Sequence, residues 1–104
     1  MTVADLDQKF TQIKDEGNTE YKAKSFVMAA SKFTEGINTF LKHEQLCRSS
    51  KDLMTKVTQL YTNRCLSWHQ IDNQADAFND SNYVLEHIDP KNAKALFRRA
   101  HCYK

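Results

Sequence analysis

Apolar residues recur at steps of three and four along almost the whole chain, and only two glycines and one proline interrupt them. That combination excludes a β-rich fold, whose many turns would need more of both residue types. Leu6, Phe10, Ile13, Gly17 and Tyr21 form one stripe of a helix. Phe26, Ala29, Ala30, Phe33, Ile37 and Phe40 form a second, with Leu41 beside it. Leu53, Val57, Leu60, Tyr61, Cys65 and Trp68 make a third, and Ala77, Phe78, Ser81, Val84, Leu85 and Ile88 a fourth. A fifth places Leu96, Ala100 and Tyr103 inward. The fold class is all-α, with about five amphipathic helices in antiparallel pairs.

The punctuation agrees. Thr2 with Asp5 reads as a helix start, Lys24-Ser25 as a turn and cap, and Ser49-Ser50 as a break. Asp72-Asn73 caps the fourth helix, Asp89-Pro90 ends it, and Asn92 caps the fifth. Gly36 in mid-helix costs roughly 1 kcal/mol relative to alanine, so a neighbouring helix should approach closely there.

The helices also repeat. The segment from Ala93 to Ala100 aligns with that from Thr58 to Cys65 at an offset of 35 residues, near the period of about 34 for tetratricopeptide units. Gly17, Ala29, Phe33 and Gly36 fall on the small and aromatic packing positions of such a unit, as do Ala77, Ser81 and Val84 in the second. One domain, 1–104, is therefore expected: a first repeat over 10–43, an insertion over 44–57, a second repeat over 58–92, and the first helix of a third over 93–104. That last helix would lack its pair, which predicts fraying or self-association through its uncovered face.

The 15 basic and 13 acidic residues leave a net charge of only +2, so overall charge selects no partner. Their distribution says more. Cys65 to Pro90 contains no Lys or Arg, whereas Lys91 to Lys104 contains no acid and holds Lys91, Lys94, Arg98, Arg99 and Lys104. This is either a solvated helix face or a site for an anionic ligand. No aromatic platform accompanies the cations, which argues against nucleic acid. Three dispersed cysteines are not a disulfide framework, and no apolar run could cross a membrane. Cys65 with His69, and His101 with Cys102, do not make a four-ligand metal site. No cofactor and no catalytic constellation is expected, and a reducing, cytoplasmic setting fits.

The segments Lys14-Asp15-Glu16-Gly17-Asn18, Leu60-Tyr61-Thr62-Asn63-Arg64 and Asn92 to Ala100 resemble the hallmark segments of carboxylate-clamp tetratricopeptide domains. The resemblance runs from about Lys9 to the end. It implies a superhelical stack of helix pairs, an α-α solenoid, acting as a non-enzymatic co-chaperone adaptor. Its ligand would be the acidic C-terminus, EEVD, of heat-shock protein 90 or heat-shock protein 70. All five clamp positions are filled here. By the resemblance, Lys14, Asn18 and Asn63 would hold the terminal carboxylate, while Lys94 and Arg98 would meet side-chain carboxylates and carbonyls. Tyr21 and Leu66 would flank a pocket for the tail's valine, and Gln70 stands where some members carry lysine. Independently of any resemblance, residues four apart share a helix face, and the first helix of each stacked pair lines the groove of a solenoid. Three cations and two amides should therefore converge, which suits a peptide C-terminus bearing two carboxylates. The alternatives are a scaffold for another partner and the targeting domain of a larger enzyme.

Overall fold

The structure, a computed structural model, describes residues 1–101, His101 by its backbone only. Expectations for Cys102, Tyr103, Lys104 and the His101 side chain lie outside the described residues. Six helices follow in order among those described: α1 (Val3–Lys22), α2 (Phe26–Lys42), α3 (Glu44–Arg48), α4 (Lys51–Gln70), α5 (Gln74–His87) and α6 (Ala93–His101). The five expected helices are α1, α2, α4, α5 and α6. The additional α3 is a short helix inside the segment read as an insertion.

Four of the described helices, α1, α4, α5 and α6, begin on a side-chain cap. Thr2 and Asp5 close a reciprocal capping box, each side chain accepting the other's backbone N–H at 3.1 Å. The Thr2 N–H, and then the Thr2 side chain, hold the Asp5 carboxyl below its ordinary value. Ser50 Oγ accepts from Leu53 N–H, Asn73 Oδ1 from Asp76 N–H, and Asn92 Oδ1 from Ala95 N–H. Ser25 stands at the start of α2 but makes no side-chain cap. The α1–α2 turn is closed instead by its backbone N–H, which donates to Glu20 at 2.9 Å. The left-handed residues Lys24 (φ 64°) and Asp72 (φ 61°) occupy equivalent places, each reversing the chain after a long helix.

Packing follows chain order: α1 on α2, α2 on α4, α4 on α5 and α5 on α6. In addition α4 touches both α1 and α6, so these three helices lie side by side with α4 between. This is a tetratricopeptide-like α-solenoid. Its core runs through Leu6, Phe10, Phe33, Phe40, Leu53 and Leu60, all fully buried.

Both glycines mark close approaches. A Cβ on Gly17 would lie 2.7 Å from Phe33 Cζ, and one on Gly36 would lie 2.8 Å from Leu60 Cδ1 and 3.2 Å from Ile13 Cγ2. The helical cost of Gly36 is thus offset by letting α2 approach α1 and α4. The short α3 is anchored through Arg48, which pairs with Glu44 at 2.8 Å, donates to the His87 carbonyl at 3.0 Å and lies over the Phe40 ring. Beside it, Tyr61 stacks on Tyr83 at 4.5 Å, and Tyr83 meets His87 at 4.7 Å. Burial, with Tyr83 adjoining, keeps the Tyr61 phenol protonated well above its usual range.

The facing of α6 corrects the sequence reading. Ala95 is fully buried, whereas Leu96 is 42% exposed and Ala100 is exposed. The helix rests on α5 and the edge of α4 through Ala95, and the side carrying Leu96 and Ala100 has no described helix to pack on. Arg99 also turns inward, donating to Asn82 Oδ1 at 3.2 Å.

The two glycines should respond differently to alanine. The Phe33 ring is fully buried and cannot withdraw, while the end of the Leu60 side chain can rotate. Gly17→Ala should lower stability by about 1–3 kcal/mol despite its better helix propensity. Gly36→Ala should cost less. Urea denaturation of the two variants measures both.

Candidate functional site

Three parallel helices, α1, α4 and α6, each present a polar face to the same side of the solenoid. On α1 and α4 these faces are laced together. Lys56 Nζ reaches Asp7 Oδ1 at 2.6 Å and Thr11 Oγ1 at 2.8 Å. Farther along, Lys14 Nζ donates to Gln59 Oε1 at 3.1 Å, and Asn63 Nδ2 to Asn18 Oδ1 at 3.4 Å. Gln70 Nε2 then donates to the Tyr21 hydroxyl at 3.1 Å. The Thr11–Lys56, Lys14–Gln59 and Asn18–Asn63 pairs are each 45 residues apart, so the two helices run in register.

Between α4 and α6 the faces part, leaving cavities. One of about 430 Å³ is lined by Thr62, Asn63, Leu66, Ala93, Lys94, Phe97 and Arg98. Its neighbour, about 540 Å³, extends toward the start of α4 past Gln59, Thr58 and Met54, with Ile88 opposite and Lys94 shared. Three of the five residues singled out from the sequence, Asn63, Lys94 and Arg98, thus wall one cavity. Asn18 joins them through its bond to Asn63, and Lys14 through Gln59. Of the flanking residues, Leu66 lines the cavity, while Tyr21 and Gln70 pair with each other and Tyr21 packs edge-on against Phe26 at 5.1 Å.

The arrangement offers ammonium and guanidinium donors together with carboxamides on one apolar-floored groove. Lys14, Asn18, Asn63 and Arg98 are all half-buried, so they are held in place yet reachable. Arg98 lies over the Phe97 ring, 5.3 Å from its centre. Cation–π contact of this kind steadies a guanidinium without using its N–H donors. The groove can therefore hold carboxylates with charge-assisted hydrogen bonds.

What fixes α4 in this pose lies on its other side. Arg64 binds Asp80 of α5 with two bonds, 2.8 and 2.5 Å, and Thr34 of α2 at 3.1 Å. The Asp80 side chain is 4% exposed and that of Arg64 18%. Burial raises the Asp80 carboxyl above its ordinary value against the pull of Arg64, and burial of Arg64 is outweighed by Asp80, which holds the guanidinium charged. Neither this pair nor Gln59 and Phe97 was singled out from the sequence. Gln59 stands four residues before Asn63, as Lys14 stands four before Asn18, and that spacing was the available signal.

The cysteines among the described residues are buried. Cys65 is 2% exposed with its thiol directed at the Ala77 carbonyl, 3.2 Å away. Cys47 is buried, and that burial raises its thiol pKa. Trp68, expected in the core, is half-buried. Among the described residues no group of three or more His, Cys, Asp or Glu is placed to hold a metal ion, and no helix is long and apolar enough to cross a membrane.

No family model matches the chain. It is 33% identical over 89 residues, 86% of its length, to a DnaJ homolog subfamily C member 7 homolog of Dictyostelium discoideum. It is 30% identical over 91 residues, 88% of its length, to the mitochondrial import receptor subunit TOM70 of Homo sapiens. The chain spans 14% and 13% of those relatives. Together with the solenoid, these similarities support a tetratricopeptide domain.

Asp80→Ala would strand Arg64 in a largely buried site. It should destabilise the fold by about 3–5 kcal/mol, whereas replacing both partners by apolar residues of similar volume should cost much less. Thermal unfolding of the single and double variants checks this.

Proposed function

We propose that this domain is a non-enzymatic co-chaperone adaptor that binds the acidic C-terminus of heat-shock protein 90 or heat-shock protein 70, ending EEVD. The observation that carries the reading is that Asn63, Lys94 and Arg98 wall one cavity, with Asn18 bonded to Asn63 and Lys14 to the neighbouring Gln59. In this reading the terminal carboxylate sits against Lys14, Asn18 and Asn63, and upstream acidic side chains meet Lys94 and Arg98. Leu66, beside Asn63, would contact the tail's valine, with Tyr21 and Gln70 closing that end. The similarities to a DnaJ homolog and to an import receptor subunit favour protein–protein recognition in a chaperone setting. A cytoplasmic location goes with this proposal.

The physical case is one of fixed donors. Asn63 and Asn18 already hold each other, so little side-chain freedom is lost when a ligand arrives. Two amides between the cations also lower the mutual repulsion that five positive charges would create. A short tail should bind at about micromolar strength, or roughly −8 kcal/mol.

The test is calorimetric titration of an EEVD-ended peptide and of the same peptide with its C-terminus amidated. The free acid should bind much more tightly. Equal affinities would remove the clamp and favour a scaffold for some other partner. Arg98→Ala should weaken the acid peptide by about 2 kcal/mol. Arg99→Ala should leave affinity nearly unchanged, because Arg99 is turned to Asn82 on α5.

A further inference from the structure

We propose that Gln59 is a specificity-determining residue of the groove, forming with Lys94 a subsite for a side-chain carboxylate of the acidic tail. The inference rests on the peptide-binding reading above and adds a residue that reading does not include.

Gln59, with Thr55, lines two cavities. On one side it lines a cavity of about 370 Å³ with Lys14 and Lys56, and on the other the 540 Å³ cavity with Lys94. Its bond to Lys14 settles which way the carboxamide points. An ammonium group can only donate, so the oxygen must face Lys14, and the 3.1 Å contact is to Oε1. The Nε2 end, with two N–H donors, is thereby turned away from Lys14. A neutral donor flanked by Lys14 and Lys94 is suited to a carboxylate, since it adds hydrogen bonds without adding a third positive charge.

The same geometry separates two roles. If Gln59 only tethers Lys14, leucine should weaken every peptide by the same factor, and glutamate should weaken binding too, since its carboxylate would compete with the ligand for Lys14. If its amide also donates to the ligand, glutamate replaces that donor by a negative charge facing the tail's own acid. Leucine removes both the tether and the donor but adds no charge. Gln59 is half-buried on the groove face, outside the core.

The experiment titrates the chain, Gln59→Leu and Gln59→Glu with the EEVD-ended peptide, with versions in which either glutamate is replaced by glutamine, and with the terminal amide. Gln59→Leu should weaken the parent peptide roughly tenfold, the scale of a hydrogen bond to a charged group. It should also reduce the penalty for one Glu-to-Gln peptide, since only Lys94 then remains to meet that carboxylate. Gln59→Glu should bind the parent peptide more weakly than Gln59→Leu. Unchanged affinity in Gln59→Leu overturns the proposal, and so does an undiminished Glu-to-Gln penalty in that variant, which would reduce Gln59 to a tether. In both cases discrimination of acid from amide would show that the clamp itself survives. Equal binding of acid and amide by the parent chain would overturn the clamp, and this subsite with it.

Discussion

The Arg64–Asp80 pair sets the pose of α4, and everything on the groove side depends on α4. Arg64 follows Asn63 in sequence, so the two side chains leave the helix about 100° apart. When the guanidinium is fixed between Asp80 of α5 and Thr34 of α2, the face carrying Gln59, Asn63 and Leu66 is fixed toward α1 and α6. The raised Asp80 carboxyl shows that burial outweighs the attraction of Arg64. A native state that holds this proton more tightly than the unfolded chain loses stability as pH rises past the carboxyl's ordinary value. Buried ion pairs generally add little net stability, and the geometry of this one, joining α4 to both α5 and α2, gives it an orienting role.

From that fixed helix the polar face is built outward by neutral partners. Lys14 rests on a carboxamide oxygen and Asn18 on the Asn63 amide, while Lys56, farther along, is paired with Asp7. The difference between those cations matters. A carboxylate partner would compete with an anionic ligand, whereas a carboxamide oxygen yields little when one arrives. Lys56 is thus satisfied within the fold, and Lys14 is held in position while still suited to an incoming carboxylate.

The sequence made the architecture legible because each helix announces itself twice, by an apolar stripe and by its ends. Leu6, Phe10, Ile13 and Gly17 are buried as their spacing requires, and the caps at Thr2, Ser50, Asn73 and Asn92 are formed. The close approach at Gly36 was legible as well, because a glycine in mid-helix needs a reason. Three features were not. The α3 helix is too short to carry a stripe and is held by the long-range contacts of Arg48 to Phe40 and His87. The Arg64–Asp80 pair joins residues on different helices, which no local pattern encodes. The inward face of α6 was misjudged because Leu96 is more hydrophobic than Ala95, yet close packing against α5 selects the small residue. The grouping of Asn63, Lys94 and Arg98 around one cavity follows from helix order alone, while the contribution of Gln59 required seeing which atom of its side chain meets Lys14.

That reversal of α6 bears on how the groove holds its cations. Two of the groove's charges lie on α6, which among the described helices rests on α5 and the edge of α4. The contacts of α6 are concentrated where those charges are. Asn92 caps the first turn at Ala95 N–H with a 2.9 Å bond, and Ala95 is buried directly beside Lys94. One turn later Arg99 is tied to Asn82 of α5, and Arg98 next to it lies against Phe97. Had Leu96 and Ala100 been the inward stripe, the helix would have turned by about 100° for each residue of shift, carrying Lys94 and Arg98 away from Asn63. The small buried Ala95 therefore does two things at once: it lets α6 sit close against α5, and it sets the rotation at which Lys94 and Arg98 face α4.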